Sequence, residues 1–405
     1  MSYRQNSRHF GGRNSRASFG RNKKINTSKS SRGKESIHFT KFIKPAVVQS
    51  ATAVYSPTNS FDDFCVHELV KSNISQKGIT TPSPIQDQSI PHSLEGRDII
   101  GIANTGTGKT LAFAVPVINK ILNNKKSAAI ILAPTRELAQ QIEAEFAQIA
   151  KKSGILGATI IGGSPMGPQL SALRSNPEVV IGTPGRIKDH INQRSLDLSR
   201  FDTIVLDEFD RMLDMGFIGD IRTIIGKLPV SRQSLFFSAT LDNKIKELSD
   251  EFLSNPVTIR VSNGDTTDNV SQDVVRYREK DDKLKKLCNL LQEDKVSKVL
   301  IFDETKHGAD RLGKKLADNG FSAGSIHGGK TQGSRQRTLQ EFKSNKITIL
   351  VATDVAARGI DVADITHVIN YATPRTYTDY IHRIGRAGRA GRAGYAFTFV
   401  ESRDF

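Results

Sequence analysis

One segment of the chain has the residue types that hold a phosphate chain. The apolar run RDIIGIA leads into ANTGTGKT (103–110), and the helix-compatible LAFAVPVINKIL follows. Glycines let backbone N–H groups curl around phosphate, Lys109 supplies positive charge to the outer phosphates, and the Thr110 hydroxyl can bind magnesium. Ala103 stands where the generic pattern has glycine. This order of strand, loop and helix predicts a nucleotide phosphate site.

A second feature is a set of carboxylates after an apolar strand. The run IVLDEFD ends in Asp207, Glu208, Phe209 and Asp210. Beside a phosphate site, Asp207 can hold magnesium and Glu208 can orient or deprotonate a water molecule. Acidic residues at a strand end often form only a solvated turn, but the upstream phosphate loop favours phosphoryl transfer.

The elements that must position these residues alternate along the chain. From about Phe61, short apolar runs typical of strands alternate with helical segments, which predicts βαβ units around a parallel sheet. The polar stretch SNGDTTDNVSQ (262–272) interrupts this pattern, which then resumes. We expect an α/β protein with two tandem domains, each a parallel sheet flanked by helices, at 56–262 and 273–405. Residues 263–272 are the predicted linker.

The first 55 residues have a different composition. Residues 1–50 hold 12 Lys or Arg against the single acid Glu35, so they carry +11 of the formal charge of +16. Their Ser, Asn, Gly and Arg content cannot bury a core, which predicts a disordered basic tail over 1–55. The tail is either a solubilising extension or a non-specific RNA tether.

Composition also excludes several classes of protein. No run approaches the roughly 18 apolar residues that a membrane helix needs, and nothing near Met1 resembles a signal peptide. Cys65 and Cys288 lack the spacing of a zinc site or a disulfide framework. We therefore expect a soluble, cytoplasmic protein without a structural metal.

With these motifs in place, the chain resembles the DEAD-box RNA helicases from Phe61 to about Val400, which implies two RecA-like domains. The segment GITTPSPIQ (78–86) is similar to the family's adenine-reading Q motif, with Gln86 as the reading amide and Phe61 as its aromatic support. Core packing is the alternative for Phe61. The resemblance implies ATP and Mg²⁺ as cofactors, and the predicted ATP-binding residues are Phe61, Ile79, Gln86, Ala103, Asn104, Thr105, Gly106, Thr107, Gly108, Lys109, Thr110 and Asp361, with Thr110 and Asp207 on the metal.

The resemblance also assigns RNA-binding and coupling residues. The predicted RNA-binding residues are Pro134, Thr135, Arg136, Gly163, Thr183, Gly185, Arg186, Gln332, Arg335 and Thr353. Those implied to couple ATP to RNA are Asp210, Ser238, Thr240, His382 and Arg383. Arg386 and Arg389 are the candidate arginine fingers, three residues apart and so able to share one helical face. Taken singly, such segments are ordinary turns or a solvated basic helix.

The implied activity is RNA-stimulated ATP hydrolysis coupled to domain closure and local unwinding of RNA, by a monomer with little sequence preference. An ATP-gated RNA clamp and a P-loop ATPase or GTPase of another class remain alternatives. The segment IHGGKTQGSRQRTLQEFKS is similar to the bacterial RNA helicase E-like branch. Two departures stand out: Phe209 replaces the Ala of the family's acidic box, and the chain stops at Phe405, where family members commonly continue into another helix.

Overall fold

The structure is a computed structural model. It describes residues 37–45, 55–104, 106–261, 269–293, 295–357, 362, 364–388 and 392–402. Three predicted site residues, Thr105, Asp361 and Arg389, lie outside these ranges, so their roles stay predictions. The same holds for 1–36 and 46–54 of the predicted tail and for 263–268 of the predicted linker.

Within the described residues, the first domain contains a parallel sheet of seven strands. They are β1 Ile99–Ile102, β2 Ala129–Leu132, β3 Gly157–Ile160, β4 Val179–Gly182, β5 Thr203–Leu206, β6 Gln233–Ser238 and β7 Val257–Arg260, in the order β3-β4-β2-β5-β6-β1-β7. The helices around it are α1 Glu68–Gln76, α2 Pro84–Leu94, α3 Lys109–Asn123, α4 Arg136–Ile149, α5 Met166–Arg174, α6 Pro184–Asn192, α7 Phe209–Asp214, α8 Ile218–Ile225 and α9 Asn243–Phe252.

The second domain repeats this plan with six strands in its described residues. They are β8 Val270–Tyr277, β9 Val299–Phe302, β10 Ala323–Ile326, β11 Ile349–Ala352, β12 His367–Asn370 and β13 Gly394–Glu401, in the order β10-β11-β9-β12-β13-β8, all parallel. The helices are α10 Lys280–Leu291, α11 Lys306–Asp318, α12 Gln332–Lys343, α13 Asp354–Ala357 and α14 Tyr377–Ile384. The predicted fold class of two tandem α/β domains is confirmed.

Apolar side chains cover both faces of each sheet, as parallel strands with helices on both sides require. In β2, Ala129 and Ile131 join one buried cluster, whereas Ile130 and Leu132 join the cluster on the other face. The second sheet divides in the same way: in β9, Leu300 and Phe302 face one cluster, and Val299 and Ile301 the other. Continuous burial of this kind explains why the strands read as unbroken apolar runs.

Two boundaries differ from those expected. Residues 37–45 lie in the predicted tail, yet Phe39–Phe42 form a 3₁₀ helix and Lys44 forms an antiparallel bridge with Gln272. Strand β8 begins at Val270, inside the predicted linker. Both differences have one physical cause: Phe42 and Val270 share a buried cluster, which gives these residues a core contact. Among the described residues, no helix has the length and apolarity needed to cross a membrane.

Candidate functional site

The phosphate loop connects β1 to α3 as the sequence predicts. Gly106 and Gly108 have φ values of +86° and +89°, a left-handed conformation that glycine adopts without steric cost. Lys109 is the first residue of α3 and is 6% exposed. Its Nζ atom has no hydrogen-bond partner in the described structure. A buried ammonium at the start of a helix is therefore available to a bound anion.

The segment similar to the Q motif is hydrogen-bonded to this loop. The Gln86 amide nitrogen donates to the Gly108 carbonyl at 2.9 Å, and the Gln86 amide oxygen accepts from the Ser83 N–H at 2.9 Å. The Ser83 hydroxyl donates to the Thr107 carbonyl at 2.7 Å. A Cβ atom at Gly108 would collide with the Gln86 side chain. The described contacts of Gln86 thus support the loop, and adenine reading stays a prediction.

Sequence reasoning missed Ser83. Its signal was available, because Ser83 and Gln86 form the reciprocal capping box of α2, with Pro84 in the first turn. Phe61 is buried in the first-domain core, in an edge-to-face contact with Phe64 at 5.8 Å between ring centres. Ile79 packs partly buried against the same core. The core-packing alternative for Phe61 accounts for these contacts, and its contribution to ATP binding stays a prediction.

The acidic residues follow β5, two strands from the phosphate loop, and meet it. Asp207 Oδ1 lies 3.9 Å from Lys109 Nζ, and both side chains are buried. Burial raises the pKa of Asp207 to about 6, Lys109 acts against this rise, and the neighbouring Glu208 adds to it. Glu208 has a left-handed backbone, with φ of +51°, and is 4% exposed. An unusual backbone at a buried carboxylate is typical of functional sites.

Phe209 fills a space in the core. It is 1% exposed and packs against Phe236 of β6, with 5.1 Å between ring centres, and Phe236 in turn packs against Phe252. The departure from the family's Ala is therefore matched by the packing around it. Its side chain belongs to the buried apolar cluster on that face of the sheet.

Asp210 joins the acidic residues to the segment after β6. Its Oδ2 accepts from the Ala239 N–H at 3.2 Å and from the Thr240 hydroxyl at 3.4 Å. Ser238 is buried, and its hydroxyl has no hydrogen-bond partner among the described residues. The structure thus brings together two predicted coupling residues, Asp210 and Thr240, which are 30 positions apart in the sequence, and it adds the Ala239 backbone.

The predicted coupling residue His382 of the second domain approaches the same region. His382 and Asp379 line one cleft with Asp210 and Thr240 of the first domain. A smaller cleft between the domains brings Arg211 beside His382 and Arg386. Arg386 is 4% exposed. The candidate finger Arg386 therefore lines a cleft with Arg211, the residue after Asp210.

Arg383 makes different contacts. It donates to both Asp354 carboxylate oxygens, at 2.6 and 2.7 Å, to Asn370 Oδ1 at 3.1 Å and to the Ala372 carbonyl at 2.7 Å. Its guanidinium lies 5.0 Å from the Phe302 ring centre. These partners all belong to the second domain and join the carboxyl ends of its strands. A structural role within the second domain explains these contacts, and the coupling role remains a prediction.

The predicted RNA residues of the first domain gather at the carboxyl ends of β2, β3 and β4. Arg136 lies against Gly163, where any Cβ atom would collide with the guanidinium. The Thr183 hydroxyl accepts from the Gly162 N–H at 3.4 Å, and Arg186 donates to the Ser164 carbonyl at 3.1 Å. Thr135 caps α4 by accepting from the Leu138 N–H. Pro134 is buried before this cap and Gly185 is half-buried in the first turn of α6.

Gln332 and Arg335 reach across to the first domain. Arg335 lies 2.6 Å from Glu137 Oε2, with both side chains less than 8% exposed, and the Gln332 amide donates to Gln140 Oε1 at 3.1 Å. Burial lowers the pKa of Arg335, and Glu137 acts against this. Sequence reasoning missed Glu137 and Gln140, and the described contacts of Gln332 and Arg335 are to protein. Thr353 is half-buried after β11, where its N–H donates to the Ile326 carbonyl.

Comparison with known proteins gives two family matches. Residues 83–248 match the DEAD/DEAH box helicase model and 282–391 match the helicase conserved C-terminal domain model. The ATP-dependent RNA helicase CshA of Listeria monocytogenes is 43% identical over 85% of this chain and 66% of its own length. The corresponding protein of Limosilactobacillus reuteri is 43% identical over 85% and 69%. The chain thus spans about two thirds of the curated relatives it matches.

Solved structures agree with this result. S. cerevisiae Dbp5 bound to RNA and ADP BeF3 is 30% identical, with a TM-score of 0.76 over 85% of this chain and 90% of its own. Mss116p bound to single-stranded RNA and AMP-PNP is 29% identical, with a TM-score of 0.77 over 86% and 76%. Both structures hold a nucleotide or its analogue together with RNA.

Proposed function

Because this chain belongs to the DEAD/DEAH box helicase family, we propose that it hydrolyses ATP between its two domains and uses domain closure to grip and locally unwind RNA. The observation that carries this proposal is the buried Lys109 ammonium, which has no hydrogen-bond partner in the described structure and lies 3.9 Å from Asp207. Leaving a charge in this state is costly unless a ligand completes the site. A nucleotide phosphate chain supplies the missing negative charge.

The residues present also fit Mg²⁺. Among the described residues, no group of three or more His, Cys, Asp or Glu side chains could hold a metal ion. Magnesium does not need such a group, because it usually keeps several waters and takes one or two protein oxygens beside substrate phosphates. The Asp207 carboxylate and the Thr110 hydroxyl at the start of α3 are suitable donors. When bound, the ion would neutralise charge on the phosphates.

Each of the predicted side chains then has its own role in ATP hydrolysis. Lys109 binds the outer phosphates, and Glu208 orients the attacking water and accepts its proton. Arg386 and Arg389 belong to the second domain and would stabilise the negative charge on the reacting phosphates. Such fingers contribute about 10³ to 10⁵ in rate, so hydrolysis requires closure. The Asp210 contacts with Ala239 and Thr240 join this chemistry to the interdomain cleft.

RNA is proposed to bind along the carboxyl ends of β2, β3 and β4. Arg136, Arg186 and the backbone around Gly163 offer the guanidinium and N–H donors that hold a sugar-phosphate backbone. Contacts of this type read little base sequence. We place the protein in the cytoplasm as a monomer, and the basic tail would add phosphate attraction that salt weakens.

The test is steady-state ATP hydrolysis with single-stranded RNA, with single-stranded DNA and without nucleic acid. We expect stimulation selective for RNA. Glu208→Gln should lower the stimulated rate about 10²- to 10⁴-fold, because the proton acceptor is lost while the side-chain shape is kept. Glu251→Gln is the matched control, since Glu251 is an exposed carboxylate of the same domain that pairs with Arg222.

A folded Glu208→Gln protein with near-normal turnover would refute the assigned role. RNA-stimulated hydrolysis without release of the paired strand from a short duplex would instead support an ATP-gated clamp. Hydrolysis that ignores RNA would favour a P-loop ATPase of another class.

A further inference from the structure

Residues 37–45 precede the first domain in sequence but pack on the second. Phe42 is 1% exposed and lies 4.8 Å from the Tyr380 ring centre, inside the cluster that contains Val270. Lys41 Nζ lies 5.7 Å from the ring centre of Tyr377. The buried Phe42 ring, the Lys41 cation–π contact, and the partly buried Ile37 and Phe39 thus hold this segment, the arm, against the second domain.

Backbone hydrogen bonds fix the arm on β8 as well. The Lys44 N–H donates to the Gln272 carbonyl at 3.0 Å, and the Gln272 N–H donates to the Lys44 carbonyl at 2.8 Å. The Gln272 side chain accepts from the Tyr380 hydroxyl at 2.9 Å. Gln272 therefore connects the arm and the start of β8 to α14, the helix that contains Arg383 and ends just before Arg386.

The position of this contact matters because of chain connectivity. The described part of the first domain begins at Tyr55, ten residue steps beyond Pro45, a distance of at most roughly 36 Å along the chain. The interdomain linker enters the second domain at Asn269, directly before Val270 in the arm's cluster. The second domain is thus connected to the first at two points, both at the start of β8.

We propose that the arm is a second intramolecular tether, which restricts the open arrangements of the two domains and so favours closure. A domain held by a single linker can rotate widely when the cleft opens. Docking of the arm closes a loop through both domains, which removes many of those open arrangements but adds no contact to the nucleotide or RNA sites. The tether rests on the proposed domain closure and acts on the closure equilibrium, not on ATP hydrolysis itself.

The arm thus affects how readily the closed state forms, but it does not change the chemistry of that state. Loss of the anchor should raise the RNA concentration needed for half-maximal closure on the order of tenfold, within the usual range of coupling between sites. The turnover rate at saturating RNA should stay unchanged. A residue that merely stabilises the second domain would not produce this division.

Two full-length variants test the anchor. Phe42→Ala removes the buried ring, whereas Ile43→Ala, the matched control, truncates the adjacent side chain, which is 46% exposed. Closure is measured by fluorescence transfer between a label on exposed Cys65 and a label on the second domain, with a non-hydrolysable ATP analogue and poly-uridine RNA. We expect the tenfold shift for Phe42→Ala and the parental curve for Ile43→Ala. A parental curve for both would overturn the proposal.

A third protein separates tethering from local packing, and it serves even where Phe42→Ala fails to fold. A site-specific protease sequence is inserted between residues 46 and 54 of the otherwise native chain, and the chain is cut after folding. The arm keeps all its contacts but no longer connects the domains. The same tenfold shift upon cutting supports the tether, whereas a cut protein that closes like the uncut one shows that the arm only covers the second domain.

Discussion

Lys109 and Arg383 are both buried cations at the carboxyl ends of parallel sheets, but their surroundings differ. Lys109 has no hydrogen-bond partner in the described structure, and its nearest carboxylate oxygen is 3.9 Å away. Arg383 donates four hydrogen bonds to groups of its own domain. Because burial of an unsatisfied charge is costly, a bound anion would stabilise the first cation, whereas the second already has its partners within its domain.

Arg335 represents a third case. Its partner Glu137 lies on the other domain, at 2.6 Å, and both side chains are buried. An opened cleft would separate them. Charge satisfaction at Arg335 thus depends on the arrangement of the domains, whereas at Arg383 it does not, and at Lys109 the proposed nucleotide would supply it. The three buried cations therefore differ in where their partners lie.

Removal of the satisfied cation should have the largest effect on folding. Arg383→Ala leaves the buried Asn370 and the Ala372 carbonyl without their donor and Asp354 without its partner. We expect a loss of about 3–5 kcal/mol in the free energy of unfolding of the second domain. Denaturant unfolding followed by circular dichroism measures this loss.

Arg375→Ala provides the control for that experiment. Arg375 also forms an arginine–carboxylate pair in the second domain, with Glu304 at 2.9 Å, but both side chains are more than half exposed. Its removal should cost less than about 1 kcal/mol. Equal losses for the two variants would contradict the view that burial and complete hydrogen bonding distinguish Arg383.

Removal of Lys109, the cation without hydrogen bonds, should affect turnover much more than the free energy of unfolding. Lys109→Ala is expected to lower ATP turnover about 10²- to 10³-fold, the range seen when one charge-stabilising donor is lost from an active site. The free energy of unfolding should change less than in Arg383→Ala, because the loss of the 3.9 Å pair with Asp207 is offset by the removal of a buried ammonium without hydrogen bonds. Both quantities are measured on the same preparation.

Lys120→Ala is its matched control on α3. Lys120 donates to the Thr203 hydroxyl at 2.8 Å and pairs with Asp202 at 3.3 Å. This satisfied and partly exposed lysine should contribute modestly to stability and nothing to turnover. If Lys109→Ala unfolded more readily than Lys120→Ala, Lys109 would be a structural cation, and the comparison would fail.

Local patterns predicted the fold, and the position of the phosphate loop and acidic residues within it, because those features are encoded in contiguous sequence. The alternation of strands and helices gave two parallel sheets, and the phosphate loop and acidic residues lie where their strands end. Contacts between distant segments were not predictable in this way. The Gln332 contact with Glu137 joins residues 195 positions apart, and no spacing rule indicates it.

Two further features were not predicted for the same reason. The effect of Phe209 was open at the level of sequence, because its partner Phe236 belongs to another strand and only the fold brings them within 5.1 Å. The arm was assigned to a disordered tail by composition, since one anchoring Phe42 in a basic segment cannot build a core of its own. It packs because the second domain supplies the rest of the cluster.

The smallest predicted effect concerns the carboxylate beside Lys109. The pKa of Asp207 is raised to about 6, with burial as the main cause, and Lys109 holds it lower than burial alone would. The ionised form is the one that can bind magnesium, so kcat/KM for ATP should rise with pH up to about 6 and level off above it. Below that pH we expect about a tenfold fall per pH unit, because kcat/KM reports ionisation in the free enzyme.

The Lys109→Ala variant sharpens this test through its residual activity. Without the neighbouring ammonium, the Asp207 carboxyl should lose its proton at higher pH, so the rising limb of the profile should move upward. A histidine near the cleft could give a similar limb, since imidazole ordinarily titrates near pH 6.5. His382→Gln is the control for this alternative, and we expect it to keep the limb in place. A limb that vanished in that variant, or one that stayed still in Lys109→Ala, would place the titration outside the Lys109–Asp207 pair.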